Sequence, residues 1–307
     1  MPRFDVVALG EPLYELNRQP DGRYLPGFGG DTLNVSVAAR RLGARAAYVT
    51  RLGGDIFGAE IRELMIREGL DVSGVATDAE APTGLYFVTH GPQGHVFTYR
   101  RAGSAASLIR PEDLKPELIG DTVFFHASGI SQAISETAAR TVSAAIAMAK
   151  ENGARVSFDT NFRPRLWSAE RARPVIAEAA AKADILKTSL EDAVALAGLS
   201  EPAAIAAHFR GLGAGAVVVT LGREGVFLSH ADGEEFFPGR SVSSVDATGA
   251  GDAFTGAFLA ELAAGRGLAE AARFANAAAA LSTLGYGAIA PLPLRAAVEE
   301  ALHGRSR

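Results

Sequence analysis

Val245-Asp246-Ala247-Thr248-Gly249-Ala250-Gly251-Asp252-Ala253-Phe254-Thr255-Gly256-Ala257-Phe258 sets two glycines and an acid directly ahead of an apolar run with helical spacing. It reads as a loop entering a helix. The glycines leave the backbone uncovered, so the amides of Gly249, Ala250 and Gly251 can converge on one anion at the positive end of that helix. Asp252 follows in the first turn, with no cation beside it in sequence. A carboxylate next to an anion hole can take a proton from an attacking hydroxyl while the hole steadies a phosphoryl group in transfer. The plainer alternative is a glycine turn and an acid that complements the helix dipole.

Around this stretch the chain alternates apolar β-rich runs with Ala-rich helical patterns. Strands are expected at residues 4–9, 46–52, 123–129, 155–159, 184–187 and 216–221, separated by helical segments, with a β pair in 225–238. Strands linked by helices of this length argue for right-handed crossovers and a largely parallel sheet. Residues 83–89 and 95–101 alternate instead, joined by Gly91-Pro92-Gln93-Gly94, and read as a hairpin standing off that sheet. No repeat, charge block or low-complexity linker divides the chain, so a single domain over 1–307 is expected.

Bulk properties exclude several function classes. A net charge of -5 gives no electrostatic reason to expect nucleic acid or an anionic membrane. There are no cysteines, which removes disulfides, thiolate catalysis and cysteine metal sites, and the six histidines lack paired ligand spacing. The opening MPRFDVVALGEP reads as a strand, and no apolar run approaches the length of a membrane span. A cytoplasmic protein is expected.

Other stretches offer ligand contacts. In YLPGFGGDTLN, residues 24–34, Gly29 and Gly30 let a small ligand lie on bare backbone and Asn34 can reach it with both donor and acceptor, while Asp31 or Thr32 is expected to cap the helix that follows. An ordinary glycine turn is the alternative. Glu11 and Glu15 could meet sugar hydroxyls or be solvated. Asp159-Thr160-Asn161-Phe162-Arg163 closes a strand with a polar cluster, which in isolation could be only a turn.

DATGAGDAFTGAF, with GGDTLNVSVAARRLG toward the other end, resembles the two signatures of the ribokinase-like (PfkB) carbohydrate kinases. The resemblance implies an α/β three-layer sandwich with a mostly parallel central sheet and a small β-sheet lid, formed by about 11–27 and 83–104. It implies that Asp252 is the catalytic base, that Gly249, Ala250 and Gly251 form the anion hole, and that Gly29, Gly30 and Asn34 contact the sugar. The segment from Asp159 to Trp167 resembles the family's D-x-N-x-R-x-x-x-W, which sets Arg163 between sugar and nucleotide phosphates and Asn161 beside the nucleotide. Thr220, Gly222 and Gly225 resemble the family's T-x-G-x-x-G turn at the nucleotide, and Asn276 stands where the family meets adenine. ATP and Mg²⁺ follow as implied cofactors. Ser189 and Asp192 fall on an N-x-x-E motif that organises water around magnesium; this chain departs from it, and Glu191 is a possible substitute. Asp246 and Thr248, with carbonyls near Gly285 and Ala288, match positions that hold a monovalent cation, K⁺, in some relatives.

The segment Tyr99-Arg100-Arg101-Ala102-Gly103-Ser104-Ala105-Ala106 resembles that of 2-keto-3-deoxygluconate kinases more than the corresponding segment of fructokinases. A guanidinium can hold a sugar-acid carboxylate through two parallel hydrogen bonds. Strand parity sends Tyr99 and Arg101 to one face, Arg100 to the other, and brings Tyr86 in from the partner strand. The resemblance therefore implies phosphorylation of 2-keto-3-deoxygluconate at its terminal hydroxyl. A fructokinase or other sugar kinase is the alternative, and a non-catalytic sugar or nucleotide sensor the alternative of another class. A homo-oligomer, such as a dimer through the lid, is expected because exposed hairpins seek cover.

Overall fold

In the computed structural model, which describes residues 2–91 and 94–304, thirteen strands form two sheets among the described residues. The large sheet has nine strands in the order β13-β12-β11-β10-β9-β8-β1-β4-β5. They are β1 (Phe4–Leu9), β4 (Ala46–Gly53), β5 (Asp71–Asp78), β8 (Thr122–Ser128), β9 (Arg155–Asp159), β10 (Ile185–Ser189), β11 (Ala216–Thr220), β12 (Gly225–His230) and β13 (Gly233–Pro238). Every pairing from β5 to β11 is parallel, and β12 and β13 close one edge antiparallel.

Successive residues of these strands feed opposite cores. Phe125, Val217 and Val219 join one cluster with Ala138, Val142, Ala172, Ile176, Ile205 and Phe209, which come from helices Glu136–Glu151, Ala169–Lys182 and Pro202–Leu212. Phe124, Ala216 and Val218 join another with Val35, Phe254, Phe258, Ala271 and Ala275, from helices Asp31–Arg41, Ala250–Ala263 and Leu268–Ser282. Burial on both faces explains why the parallel strands read as near-continuous apolar runs. The chain starts in mid-sheet: β4 and β5 extend outward from one side of β1, and β8 to β11 from the other. Such a reversal opens a crevice at the carboxyl ends of the strands.

Four strands stand off as a second sheet in the order β3-β2-β6-β7: β2 (Leu13–Arg18), β3 (Tyr24–Gly29), β6 (Leu85–Gly91) and β7 (Gly94–Arg100). The hairpin of β6 and β7 is antiparallel and β2 pairs β6 in parallel. Pro92 and Gln93 of the expected turn lie outside the described residues.

One capping expectation is corrected. Helix Asp31–Arg41 has Gly30 as its N-cap, with no side-chain cap. Asp31 and Thr32 fall inside the first turn and are drawn inward. Thr32 Oγ1 shares a hydrogen bond with the Tyr48 hydroxyl (2.7 Å), and Asp31 accepts from Ser128. Gly30 sits at φ 117, and a Cβ there would meet the Glu11 carbonyl oxygen at 2.4 Å, so only glycine fits where the second sheet meets the first helix.

Candidate active site

Gly249, at φ 75, is the N-cap of helix Ala250–Ala263 and offers no side chain to its first turn. The Ala250 amide donates to the Ala247 carbonyl (3.1 Å), which corrects the expectation that three consecutive amides point outward. The left-handed step at Gly249 tightens the turn so that Ala250 closes it. Gly251 and Asp252 then belong to the open first turn, whose amides have no intrahelical acceptor.

Two cavities meet at this turn. The first, about 920 Å³, is lined by Gly29, Gly30, Asp31, Asn34, Tyr86, Tyr99, Arg101, Arg163, Gly249 and Asp252, among others. The second, about 590 Å³, is lined by Thr220, Gly222, Arg223, Gly225, Ala250, Gly251 and Asn276, among others. Ala247 lines both, so the turn forms the wall between them. Asp252 lines one chamber and Gly251 the other.

Asp252 Oδ2 accepts a hydrogen bond from Asn34 Nδ2 at 2.8 Å. Burial, reinforced by the charge of Asp31 and opposed by Asn34 and Lys187, pushes the Asp252 carboxyl up to about 7. A base with that value is half ionised near neutrality and can both take and return a proton. Two acceptor atoms on the same wall, Asp31 Oδ1 and Asn34 Oδ1, are buried without a hydrogen-bond partner. Orphan acceptors inside a cavity suit a ligand rich in hydroxyl donors.

The small sheet supplies the opposite wall. Tyr86 packs against Tyr99 in a tilted pair with ring centroids 5.8 Å apart, and the Arg101 guanidinium lies over the Tyr99 ring at 5.5 Å. As parity required, Tyr99 and Arg101 line the cavity and Arg100 does not. The two glutamates separate: Glu15 accepts from the Tyr86 hydroxyl, whereas Glu11 lines the cavity in an ion pair with Arg101. Burial pushes the Glu11 carboxyl up against the pull of Arg101, and Ser104 Oγ donates to it at 2.5 Å. Arg163 and Arg165 are exposed beside the same cavity, and Arg165 reaches across to donate to the Phe97 carbonyl of β7 at 3.1 Å.

Several candidate residues serve the frame and line neither cavity. Asn161, at φ 31, donates to Asp31 Oδ2 (2.8 Å), which places it behind the first chamber, away from the second. Ser189 accepts from the Asp192 amide as the cap of helix Leu190–Ala197. Asp192 Oδ2 accepts from Thr160 Oγ1 (2.8 Å) and the Phe162 amide (3.0 Å). That carboxylate braces the 160–162 turn. Glu191 is exposed. Asp246 Oδ1 accepts from the amide and hydroxyl of Thr248 (2.9 and 2.7 Å), and its Oδ2 from the Gly287 amide (3.0 Å), tying the loop ahead of the turn to residues 285–288. No three His, Cys, Asp or Glu side chains gather as a metal site among the described residues.

Asp31, Asp159, Lys187 and Arg165 were not read as site residues from the sequence. Asp159 and Lys187 had a usable signal: opposite charges within the strands RVSFD and ILKTS, whose parallel pairing sets them side by side.

A model described as pfkB family carbohydrate kinase matches residues 4–295. The chain is 38% identical over 287 residues to the 2-dehydro-3-deoxygluconokinase of Thermoproteus tenax, covering 90% of this chain and 87% of that one. It is 37% identical over 311 residues to probable fructokinase-3 of Arabidopsis thaliana, covering 94% and 88%. Among solved structures, the aminoimidazole riboside kinase of Salmonella enterica, complexed with aminoimidazole riboside and an ATP analogue, aligns with a TM-score of 0.87. That match is 30% identical and covers 97% of this chain and 99% of the other.

Proposed function

The chain belongs to the pfkB family of carbohydrate kinases, ATP-dependent enzymes that phosphorylate sugars, and from that premise we propose that its substrate is 2-keto-3-deoxygluconate, phosphorylated at the terminal hydroxyl. The observation that carries the reading is the turn at 247–252, which presents Asp252 to one chamber and Gly251 to the other. A sugar in the first chamber would satisfy Asp31 Oδ1 and Asn34 Oδ1 with its hydroxyls. Asp252 takes the proton of the attacking hydroxyl, held for it by Asn34. The open amides of the turn then receive the phosphoryl group in transfer. Positioning and electrostatics of this kind supply most of what phosphoryl transfer asks of a protein.

The second chamber, lined by glycines, Thr220 and Asn276 beside the open turn, suits a nucleotide. A divalent ion fits the site through phosphate oxygens and water, since Asp192 is engaged within the protein, and when bound it neutralises phosphate charge. The arginines at 101, 163 and 165 support an acidic sugar, because all three line the first chamber. Fructose is the second reading, favoured by one observation: Arg101 already spends its charge on Glu11. The exposed Leu25 and Val96 of the small sheet support a dimer through that sheet.

An ADP-release assay with 2-keto-3-deoxygluconate, fructose and ribose side by side tests the proposal. It stands if kcat/KM is highest for the sugar acid. A preference for fructose replaces it with the second reading, and turnover of none of the three removes it.

A further inference from the structure

Beneath the turn at 247–252 lies a buried cation. Lys187 is near the end of β10, and its Nζ donates to Asp159 Oδ2 at 2.5 Å, with side-chain exposures of 10% and 3%. The two are register partners on adjacent parallel strands. A Cβ built on Gly251 would lie 3.3 Å from Lys187 Nζ and 3.5 Å from its Cε, so the ammonium lies on the side of Gly251 where a side chain would project, and Gly251 itself lines the second chamber. Asp159 from β9, Asp192 from helix Leu190–Ala197 and Asp252 all act electrostatically on Lys187, and Asp31 from the first helix acts on Asp252. The buried His126 of β8 also faces Asp159, Asp31 and Lys187, and burial holds it down to about 4, hence neutral. Lys187 is the ammonium set among them.

We propose that Lys187 is a positioning residue for phosphoryl transfer, its ammonium forming a charged floor beside Gly251 that supports the Asp252 carboxylate and favours an anion in the turn. The inference deepens the kinase reading and rests on it. A lysine oriented this way does more than neutralise Asp159. Its positive end is against the turn, so the pair presents a dipole aimed at the anion, and such fixed dipoles act strongly where water is excluded. Burial works against the Lys187 charge, and Asp159, Asp252 and Asp192 outweigh it.

The test uses the full chain in four forms: unaltered, Lys187→Met, Lys187→Arg, and Lys187→Met with Asp159→Asn. Lys187→Met is expected to lose about a hundredfold in kcat, with sugar KM nearly unchanged and the acid limb of its pH profile moved upward. Lys187→Arg should recover the limb. Lys187→Met can also lose stability by stranding Asp159, which the double variant repairs by making both groups neutral. The double variant, once its melting temperature is back near that of the unaltered chain, should remain at least about tenfold slow. Recovery of its kcat would overturn the proposal, because the lysine would then serve only its partner. Carboxyl titration of Asp252 by NMR in the unaltered chain and Lys187→Met decides the case without turnover. An upward move of its midpoint supports the floor, and an unmoved midpoint overturns it even if the kinase reading has failed in the sugar assay.

Discussion

Asn34 and Asp252, 218 positions apart, meet through one hydrogen bond of 2.8 Å from the Asn34 amide to the Asp252 carboxylate. That contact joins the two signature helices at the floor of the first chamber. Replacing Asp252 by Asn keeps the shape of the contact and removes the base. Turnover should fall by about 10²- to 10⁴-fold while calorimetry shows sugar affinity within a few-fold of the original. Near-normal turnover would take Asp252 out of the base role.

The same carboxyl sets a pH dependence. Burial and then Asp31 raise it to about 7, so kcat/KM should climb as pH rises through that value and level off above it. Asn34 stabilises the ionised form, and Asn34→Ala should move the climb to higher pH. Stability carries the opposite sign. A carboxyl raised in the folded state holds its proton more tightly there, so its ionisation above about pH 7 costs stability that is regained as pH falls toward the ordinary carboxylate range. Asp252→Asn should therefore melt higher than the unaltered chain at pH 8, with the gap narrowing through pH 5 and closing only near pH 4.

Arg101 and Glu11 face each other in a nearly closed space, with side-chain exposures of 12% and 0%. Arg101→Ala alone leaves a buried carboxylate without its partner and should cost about 3 kcal/mol or more in urea unfolding. Adding Glu11→Gln should return most of that stability. In the repaired background, a greater loss of kcat/KM for 2-keto-3-deoxygluconate than for fructose would tie Arg101 to the carboxylate. Equal losses would leave Arg163 and Arg165 to hold it.

Asp192 offers a cleaner separation of frame from chemistry. Its Oδ2 satisfies two buried donors, Thr160 Oγ1 and the Phe162 amide. Asp192→Ala should lower unfolding free energy by about 2 kcal/mol or more, with little change in the Mg²⁺ concentration that gives half-maximal turnover. A large rise in that concentration would instead restore Asp192 to the metal's surroundings.

Much of this was legible in the residues. Near-continuous apolar strands separated by Ala-rich helices announced a parallel sheet buried on both faces, and alternation in 83–89 and 95–101 announced a hairpin apart from it, because side-chain period follows directly from backbone geometry. The two glycine signatures lie in the walls of the two cavities, where bare backbone leaves room beside the chain. What could not be read was partnership. Asp31 looked like a cap and turned inward to Ser128 and Asn161; Ala250 looked like part of the anion hole and closed the turn on Ala247.

By itself, then, the sequence determined the class of sheet and the position of the glycine turn that opens a helix on an acid, all properties of short, local patterns. Only the tertiary structure decided that Glu11 would neutralise Arg101, that Asp192 would be spent on a turn, and that Lys187 would lie beside Gly251. Those outcomes depend on which side chains meet across distant stretches of chain. In a buried site the energy of a charge is set by its nearest opposite charge, which no local pattern specifies.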